Sequence, residues 1–289
     1  MPKVRIVTDS AARFEDSHVV EDYDIVVVPL SVHLGDQIYT DGVDISPEEV
    51  LQRLRHGHAR LSVSPPPISA FEQAFSELNK TTDQICAVLH SQHLTETVAR
   101  AQAARMSLLG RCEIAVIDSL TTSAGLGYLV ETVAQAAERG ARLDDLVRTA
   151  RGVITRLYSV YYVDSLDTIQ RAGLIGETQA ILGAMLEIKP ILTIEDGRLI
   201  TMEKARTHSQ AIDKLIEFVA EFTHLERLCI VQSTPRITDR TRVLQDRLAL
   251  EFARLQAPVI VYEPLIASLI GPDGMGIVVL EGTGDEEVV

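Results

Sequence analysis

The sequence predicts an α/β protein, with an N-terminal doubly wound parallel-sheet domain and a C-terminal α/β domain built on a mixed sheet. Three observations carry this. Short apolar runs alternate with longer amphipathic ones through the first half of the chain. The short runs are nearly continuous in apolar residues, the pattern of strands covered on both faces. Three of them also stop at the same dipeptide: "VRIVTDS" at Asp9-Ser10, "EIAVIDS" at Asp118-Ser119 and "VYYVDS" at Asp164-Ser165.

Taken in order, strands are expected at 4–8, 25–30, 85–90 and 113–118, and helices at 46–57, 68–78, 94–110 and 122–140. Such alternation builds βαβ units. Ser46-Pro47-Glu48-Glu49 supplies an N-cap, a proline at the first helical position and a capping-box glutamate. Gly57, Gly110 and Gly140 stand where helices should stop. The glycines of "AGLGYLV" (124–130) fall inside a helix and read as close helix–sheet packing, not as a phosphate loop.

The second half starts with a helix at 143–157 and a strand at 158–163, followed by short helices at 165–171 and 178–186. "KPILTIEDGRLITMEKAR" reads as a hairpin turning at Asp196-Gly197. A helix (208–223), a strand (227–232), a helix (237–255) and strands at 258–263 and 276–282 complete a mixed sheet backed by helices. The expected domains are 1–160 and 161–282, with 283–289 a frayed tail.

Lys plus Arg number 27 against 41 Asp plus Glu, a formal net charge of −14. There is no basic stripe of the kind that displaces counterions from a duplex, so nucleic acid is not an expected partner. Cys86, Cys112 and Cys229 are odd in number and lack CxxC spacing, which fits reduced thiols and a cytoplasmic protein. No run has the length of a membrane span, which leaves room only for transient membrane contact. His90 and His93 have no third ligand at metal spacing, so no metal site is expected.

Ligands of open parallel sheets bind beyond the carboxyl ends of the strands. Asp9, Ser10, Asp118 and Ser119 fall on that edge, where their side chains either shape turns or face a ligand. In "LSVSPPPISAF", Pro65, Pro66 and Pro67 stiffen an extended segment that presents the hydroxyls of Ser62 and Ser64. In "VLHSQHLTETVARA", Ser91 or Thr95 can cap a helix whose free N–H groups suit a carboxylate or phosphate. No GxSxG nucleophile elbow is present. Lys189 is left open between a buried amine and a rim charge.

As a set, "IVTDSAA", "VVPLSVHLGDQIYTDGVDISPEEV", the Ser-Pro segment, "VIDSLTTSAGLG", "DSLDTIQRAGLIG", "LEIKPILTIEDGRL" and "GPDGMGIV" resemble the DegV family, in order and over nearly the whole chain. The resemblance implies two α/β domains holding one long-chain fatty acid in a tunnel between them. It further implies no cofactor, no catalysis by this chain, and in some bacteria presentation of the carboxylate to a separate fatty-acid kinase. The family's Thr-Ser-Gln-Pro-Ser head-group loop falls on 63–67 when counted back from Phe71, or places its threonine on Ser62 with a one-residue gap. Both Ser62 and Ser64 are therefore head-group candidates. The family's Ser-x-x-Leu-Ser-Gly-Thr matches Ser91 to Thr97, with Thr95 at the head-group serine. Ser91, Asp9, Ser10, Asp118 and Ser119 are expected behind these hydroxyls.

The chain also departs from the family. Leu174 stands where the family has an arginine, Leu269 where it has a histidine, and Glu96 replaces a glycine. A head-group end without that pair should be drier and less positive. The bound acid would then reach solvent, be held wholly through hydroxyls and helix N–H groups, or bind partly protonated. The competing reading is a phosphotransfer or small-keto-substrate enzyme, related at fold level to dihydroxyacetone kinase, with His90 as its covalent residue.

Overall fold

A computed structural model describes residues 3–56, 60–171, 173, 176, 188–252 and 256–283. Thirteen strands are formed among them: β1 (Arg5–Asp9), β2 (Val26–Val28), β3 (Ser31–Leu34), β4 (Gln37–Thr40), β5 (Leu61–Ser64), β6 (Gln84–Leu89), β7 (Glu113–Asp118), β8 (Leu157–Tyr162), β9 (Lys189–Glu195), β10 (Arg198–Ala205), β11 (Leu225–Gln232), β12 (Val259–Val261) and β13 (Met275–Glu281). The helices are α1 (Val19–Asp22), α2 (Pro47–His56), α3 (Ile68–Leu78), α4 (Thr97–Ala104), α5 (Ser123–Glu138), α6 (Leu143–Ile154), α7 (Leu166–Arg171), α8 (His208–Ala220), α9 (Asp239–Glu251) and α10 (Pro264–Ile270).

The first sheet has the order β2-β1-β6-β7 and is parallel throughout. Phe71, Phe75 and Val98 of α3 and α4 cover one face, and Leu126, Leu129 and Leu146 of α5 and α6 cover the other. Burial on both faces is why these strands carry no polar alternation. The second sheet, β10-β9-β8-β13-β11-β12, is antiparallel except for the β11–β12 pair. One of its faces packs on Leu215 and Leu244 of α8 and α9. The other contributes Tyr161, Leu192, Cys229, Val231, Val278 and Leu280 to the same apolar cluster as α5.

Helix α5 thus lies between the two sheets, touching β1 and β6 on one side and β8 and β13 on the other. Its residues from Ser123 to Val130 are all buried. A Cβ at Gly127 would collide with the Arg13 carbonyl, so the glycine permits a close approach of the helix to the loop after β1, whereas the sequence pattern predicts contact with the sheet. The capping box of α2 forms as read. Ser46 Oγ accepts from Glu49 N at 3.2 Å, and Glu49 Oε2 accepts from Ser46 N at 3.0 Å.

Three features depart from the sequence reading. A small antiparallel sheet, β4-β3-β5, precedes α3, and the Ser-Pro segment begins inside it. Its strands are only four residues long, too short for period-2 alternation to stand out. Second, α10 follows β12, signalled by Glu263 before Pro264 at the first helical position. Third, the helix expected at 94–110 divides into α4 and a 3₁₀ turn at Arg105–Leu108. The helix expected at 178–186 and most of the tail lie outside the described residues.

Among the described residues no helix is long and apolar enough to cross a membrane. Nor does any group of three or more His, Cys, Asp or Glu side chains among them converge to hold a metal ion.

Candidate functional site

The Asp-Ser endings tie neighbouring strand ends together. Asp9 is fully buried; its Oδ1 accepts from Ala11 N at 3.0 Å and its Oδ2 from His90 N at 2.9 Å. That joins the end of β1 to the end of β6. Ser10 Oγ accepts from Leu30 N at 3.0 Å. Asp118 Oδ1 accepts from Leu120 N at 3.0 Å and Gln92 N at 3.2 Å, linking β7 to the turn after β6. Ser119 Oγ donates to Thr121 O at 3.1 Å. These four residues therefore shape the rim on which a site is built. The third pair differs. Asp164 Oδ1 accepts from Tyr162 Oη at 2.9 Å and from Lys189 Nζ at 2.5 Å, which makes Lys189 a paired, half-buried amine. Burial raises the Asp164 pKa, but the Lys189 and Tyr162 hydrogen bonds outweigh it and leave the carboxyl below its ordinary value.

The turn after β6 holds the densest polar arrangement. The His90 ring is fully buried. Its Nδ1 lies 3.0 Å from Asp9 Oδ2, off the line of a good hydrogen bond. Its Nε2 lies 2.7 Å from Thr95 Oγ1. Thr95 Oγ1 also accepts from Thr97 N at 3.2 Å and lies 2.8 Å from Thr97 Oγ1. The result is a line of carboxylate, imidazole and hydroxyl ending at the half-exposed entry to α4. Glu96, the N-cap, makes no side-chain cap there and faces Arg100 Nη2 at 3.7 Å.

Ser91 has a different role. Buried, it donates to Gly197 O at 2.7 Å and so fastens the β9–β10 turn onto the first sheet's carboxyl edge. Asp196 and Gly197 both have positive φ, 47° and 77°, as the hairpin turn requires. A Cβ at Gly197 would collide with Ser91 Oγ.

Arg100 brings the Ser-Pro segment to this helix, donating from Nη1 to the carbonyls of Pro65 and Pro66 at 3.2 Å each. Ser64 Oγ is engaged by His33 Nε2 at 2.9 Å. Ser62, exposed, lines a cavity of about 300 Å³ together with Leu54, Arg60, Leu61, Thr168, Ala267 and Pro272. Helix α10, which carries half-buried Leu269, packs on β5 and on α7 beside that cavity. Leu174 lies outside the described residues. Arg60 escapes the sequence reading because a lone exposed arginine carries no pattern.

A second buried polar cluster lies between the sheets and was also missed. Glu263 is fully buried and accepts from Thr122 Oγ1 at 3.0 Å through Oε1, while Oε2 has no well-formed hydrogen bond among the described residues. Arg13 donates from Nε to Val261 O at 2.9 Å. Desolvation pushes the Glu263 carboxyl up to about 7 and the Asp41 carboxyl up to about 6, with Arg13 opposing both. Burial likewise pushes the Cys86 and Cys229 thiols up to about 12, which leaves them unreactive near neutral pH.

Comparison with known proteins agrees with this architecture. A DegV domain-containing protein of Caldanaerobacter subterraneus is 35% identical over 219 residues, 76% of this chain and 77% of the relative. A solved structure described as "Fatty Acid Binding of a DegV family Protein from Thermus thermophilus" superposes with a TM-score of 0.84 at 26% identity, covering 97% of this chain and all of that one. A DegV protein of Streptococcus agalactiae, at 20% identity and a TM-score of 0.87 over 98% of this chain and all of the other, shares the fold. The family model described as "Uncharacterised protein, DegV family" matches residues 3–282, and the chain belongs to that family.

Proposed function

We propose that this protein binds a long-chain fatty acid, with the carboxylate at the entry to α4 and the acyl chain in a tunnel between the two domains. The observation that carries this is the placement of Thr95. Its hydroxyl stands at a helix N-terminus, at the edge where the Ser-Pro segment and the β9–β10 turn meet. The description of the Thermus relative as fatty acid binding supports the same ligand. Free N–H groups and the helix dipole favour an anion there. Each methylene taken from water contributes about 0.8 kcal/mol, so a long chain supplies on the order of 10 kcal/mol before binding costs. The polar groups need only orient the head.

Ser62 or Ser64 completes the head-group shell in this reading. The chain acts as a carrier in place of an enzyme, divides near residue 160 into two domains, and works in the cytoplasm. Presentation of the carboxylate to a separate fatty-acid kinase is the partnership implied by the family. The covalent-histidine alternative fits less well, because His90 is shut from solvent, with Nε2 bonded to Thr95 and Nδ1 turned toward buried Asp9.

Native mass spectrometry of the purified protein tests the proposal. A co-purified mass of fatty-acid size, displaced by added palmitate, is expected. Protein that carries no such mass and does not bind a fluorescent fatty acid overturns it.

A further inference from the structure

We infer that His90 is a proton-coupled positioning residue of the head-group site: capture of a carboxylate by Thr95 is accompanied by proton uptake on the His90 ring, which then supplies a positive charge behind the hydroxyl. The inference rests on the fatty-acid reading above.

The proton inventory follows from the contacts. His90 Nδ1 lies 3.0 Å from Asp9 Oδ2. A bare nitrogen lone pair there would face a carboxylate oxygen, so Nδ1 carries a hydrogen whether the ring is neutral or charged. In the neutral ring Nε2 is therefore an acceptor. Its partner at 2.7 Å is Thr95 Oγ1, so the single hydroxyl hydrogen of Thr95 is committed to it. Thr95 Oγ1 also accepts from Thr97 N. Thr97 Oγ1, 2.8 Å away, then donates its hydrogen to Thr95 Oγ1, so both hydroxyl hydrogens of the Thr95–Thr97 pair are committed and neither is offered to an incoming carboxylate.

Protonation reverses the polarity. Nε2–H becomes the donor and Thr95 Oγ1 the acceptor, and since one hydrogen suffices for the Thr95–Thr97 contact, one hydroxyl hydrogen of the pair is released for the ligand. One proton moves from solvent to Nε2, and only hydrogen bonds change. Ligand carboxylate, hydroxyl, imidazolium and Asp9 then alternate in sign along one line. A buried anion with a cation one hydroxyl away is far less costly than an isolated one. Fully buried residues form the back of this line, since Asp9, His90 and Thr97 are all shut from solvent.

The other charged and titratable groups on the surrounding elements are engaged elsewhere or exposed. Asp118, beyond β6 on β7, accepts backbone N–H groups. His33 on β3 holds Ser64, and Arg100 on α4 holds the proline carbonyls. Glu96 and His93 of the turn itself are exposed, as is Asp196 of the hairpin packed on it. Asp41 bonds Ser10 and lies close enough to Asp9 for their charges to repel, so it faces the Asp9 end of this line, while Arg13 lies near both Asp41 and Glu263. Among the described residues, Asp9 alone comes within ion-pair distance of the His90 ring.

The test is palmitate affinity of the full chain across about pH 5 to 8, the range in which imidazoles change charge, with proton uptake measured by calorimetry in buffers of different ionisation enthalpy. Affinity should rise as pH falls, by at most about tenfold per pH unit for one proton, with net uptake on binding. Hexadecanol, which has no carboxylate, should bind without pH dependence. His90→Gln keeps an N–H for Thr95 but cannot change charge, so it should bind palmitate with a flat profile and no uptake. Uptake that persists in His90→Gln places the proton on the ligand or another group and overturns the inference. So does palmitate binding by the native protein without uptake. Failure of the native protein to bind palmitate at any pH overturns the fatty-acid reading itself. Should His90→Gln not fold, as judged by circular dichroism, Thr95 decides. Thr95→Ser should retain uptake and Thr95→Val lose it; uptake retained in Thr95→Val overturns the inference.

Discussion

Asp9, at the end of β1, and Glu263, just beyond β12, are equally inaccessible to solvent, yet the fold treats their charges differently. Both Asp9 oxygens accept backbone N–H groups, and an imidazole stands beside one of them. Glu263 has one well-aligned hydroxyl donor, Thr122, with Ser123 and Arg13 nearby, and its other oxygen has no well-formed hydrogen bond among the described residues. The first arrangement stabilises an anion by satisfying it, and it spans two strands of the sheet, so the charge is part of the architecture. The second leaves a carboxyl between the sheets where ionisation is opposed. Burial alone therefore does not say whether an acid supports the fold or strains it. The count of donors aimed at its oxygens does.

Removing each acid should break the comparison in opposite directions. Asp9→Ala leaves the amides of Ala11 and His90 and the His90 ring without their acceptor, and is expected to destabilise the protein by about 3–5 kcal/mol. Urea denaturation measures it, and a loss below about 1 kcal/mol would show that the amides find other partners.

Glu263→Gln should do the reverse, and only above acid pH. Its carboxyl is raised from an ordinary 4.5 to about 7. The unfolded chain therefore releases this proton at lower pH than the folded one. The associated stability is fully present below pH 4.5 and declines as pH rises through about 7. A displacement of that size corresponds to about 3 kcal/mol. The native protein should thus lose stability between pH 4.5 and 7 through this group, and Asp41, raised to about 6, acts in the same direction. Glu263→Gln, which cannot ionise, should match the native protein near pH 4.5 and exceed it near pH 8. Thermal melts at the two pH values check this, and identical differences at both would show that Glu263 is not the titrating group.

The contrast between the acids also marks what the sequence could convey. The parallel sheet was legible because its strands are continuous apolar runs with turn residues at their ends. The hairpin was legible because Asp196-Gly197 is a turn signal between alternating runs. Thr95 was legible as a hydroxyl at a helix entry. The partners of these residues were not. Asp9 and His90 are 81 positions apart and Thr122 and Glu263 are 141 apart, and only the folded sheets bring them together. The small sheet that carries Ser62 and Ser64 was missed because four-residue strands leave no periodic trace beside three prolines. Which serine faces a ligand is a question of strand register, beyond the reach of a motif count.

At the functional end of the molecule, Thr95→Ala should weaken fatty-acid binding by about 1–3 kcal/mol, the range of a hydrogen bond to a charged group. Stability should fall as well, by about 1–3 kcal/mol, because the buried His90 Nε2 and the Thr97 amide lose their partner. Titration with a fluorescent fatty acid measures the affinity, and an unchanged value would make Thr95 a local turn residue only.

The smallest effect separates the two serines. Ser62 and Ser64 are two residues apart on β5 and therefore point to the same face of the small sheet. Their surroundings differ. Ser64 Oγ is held by His33 across the strand pair, so its hydroxyl already has a partner. Ser62 is exposed and lines the cavity beside α10 and Arg60, where an incoming polar group can reach it. Ser62→Ala is thus expected to weaken fatty-acid binding by about 1 kcal/mol and leave folding stability unchanged. Ser64→Ala is expected to leave affinity unchanged and to cost about 0.5–1 kcal/mol of stability through the freed His33 ring. Measuring both quantities in both variants settles the register. Should the pattern be exchanged, with Ser64→Ala carrying the loss of affinity, His33 must release Ser64 when the ligand arrives, and the head group sits two residues further along β5, level with Ser31 of β3.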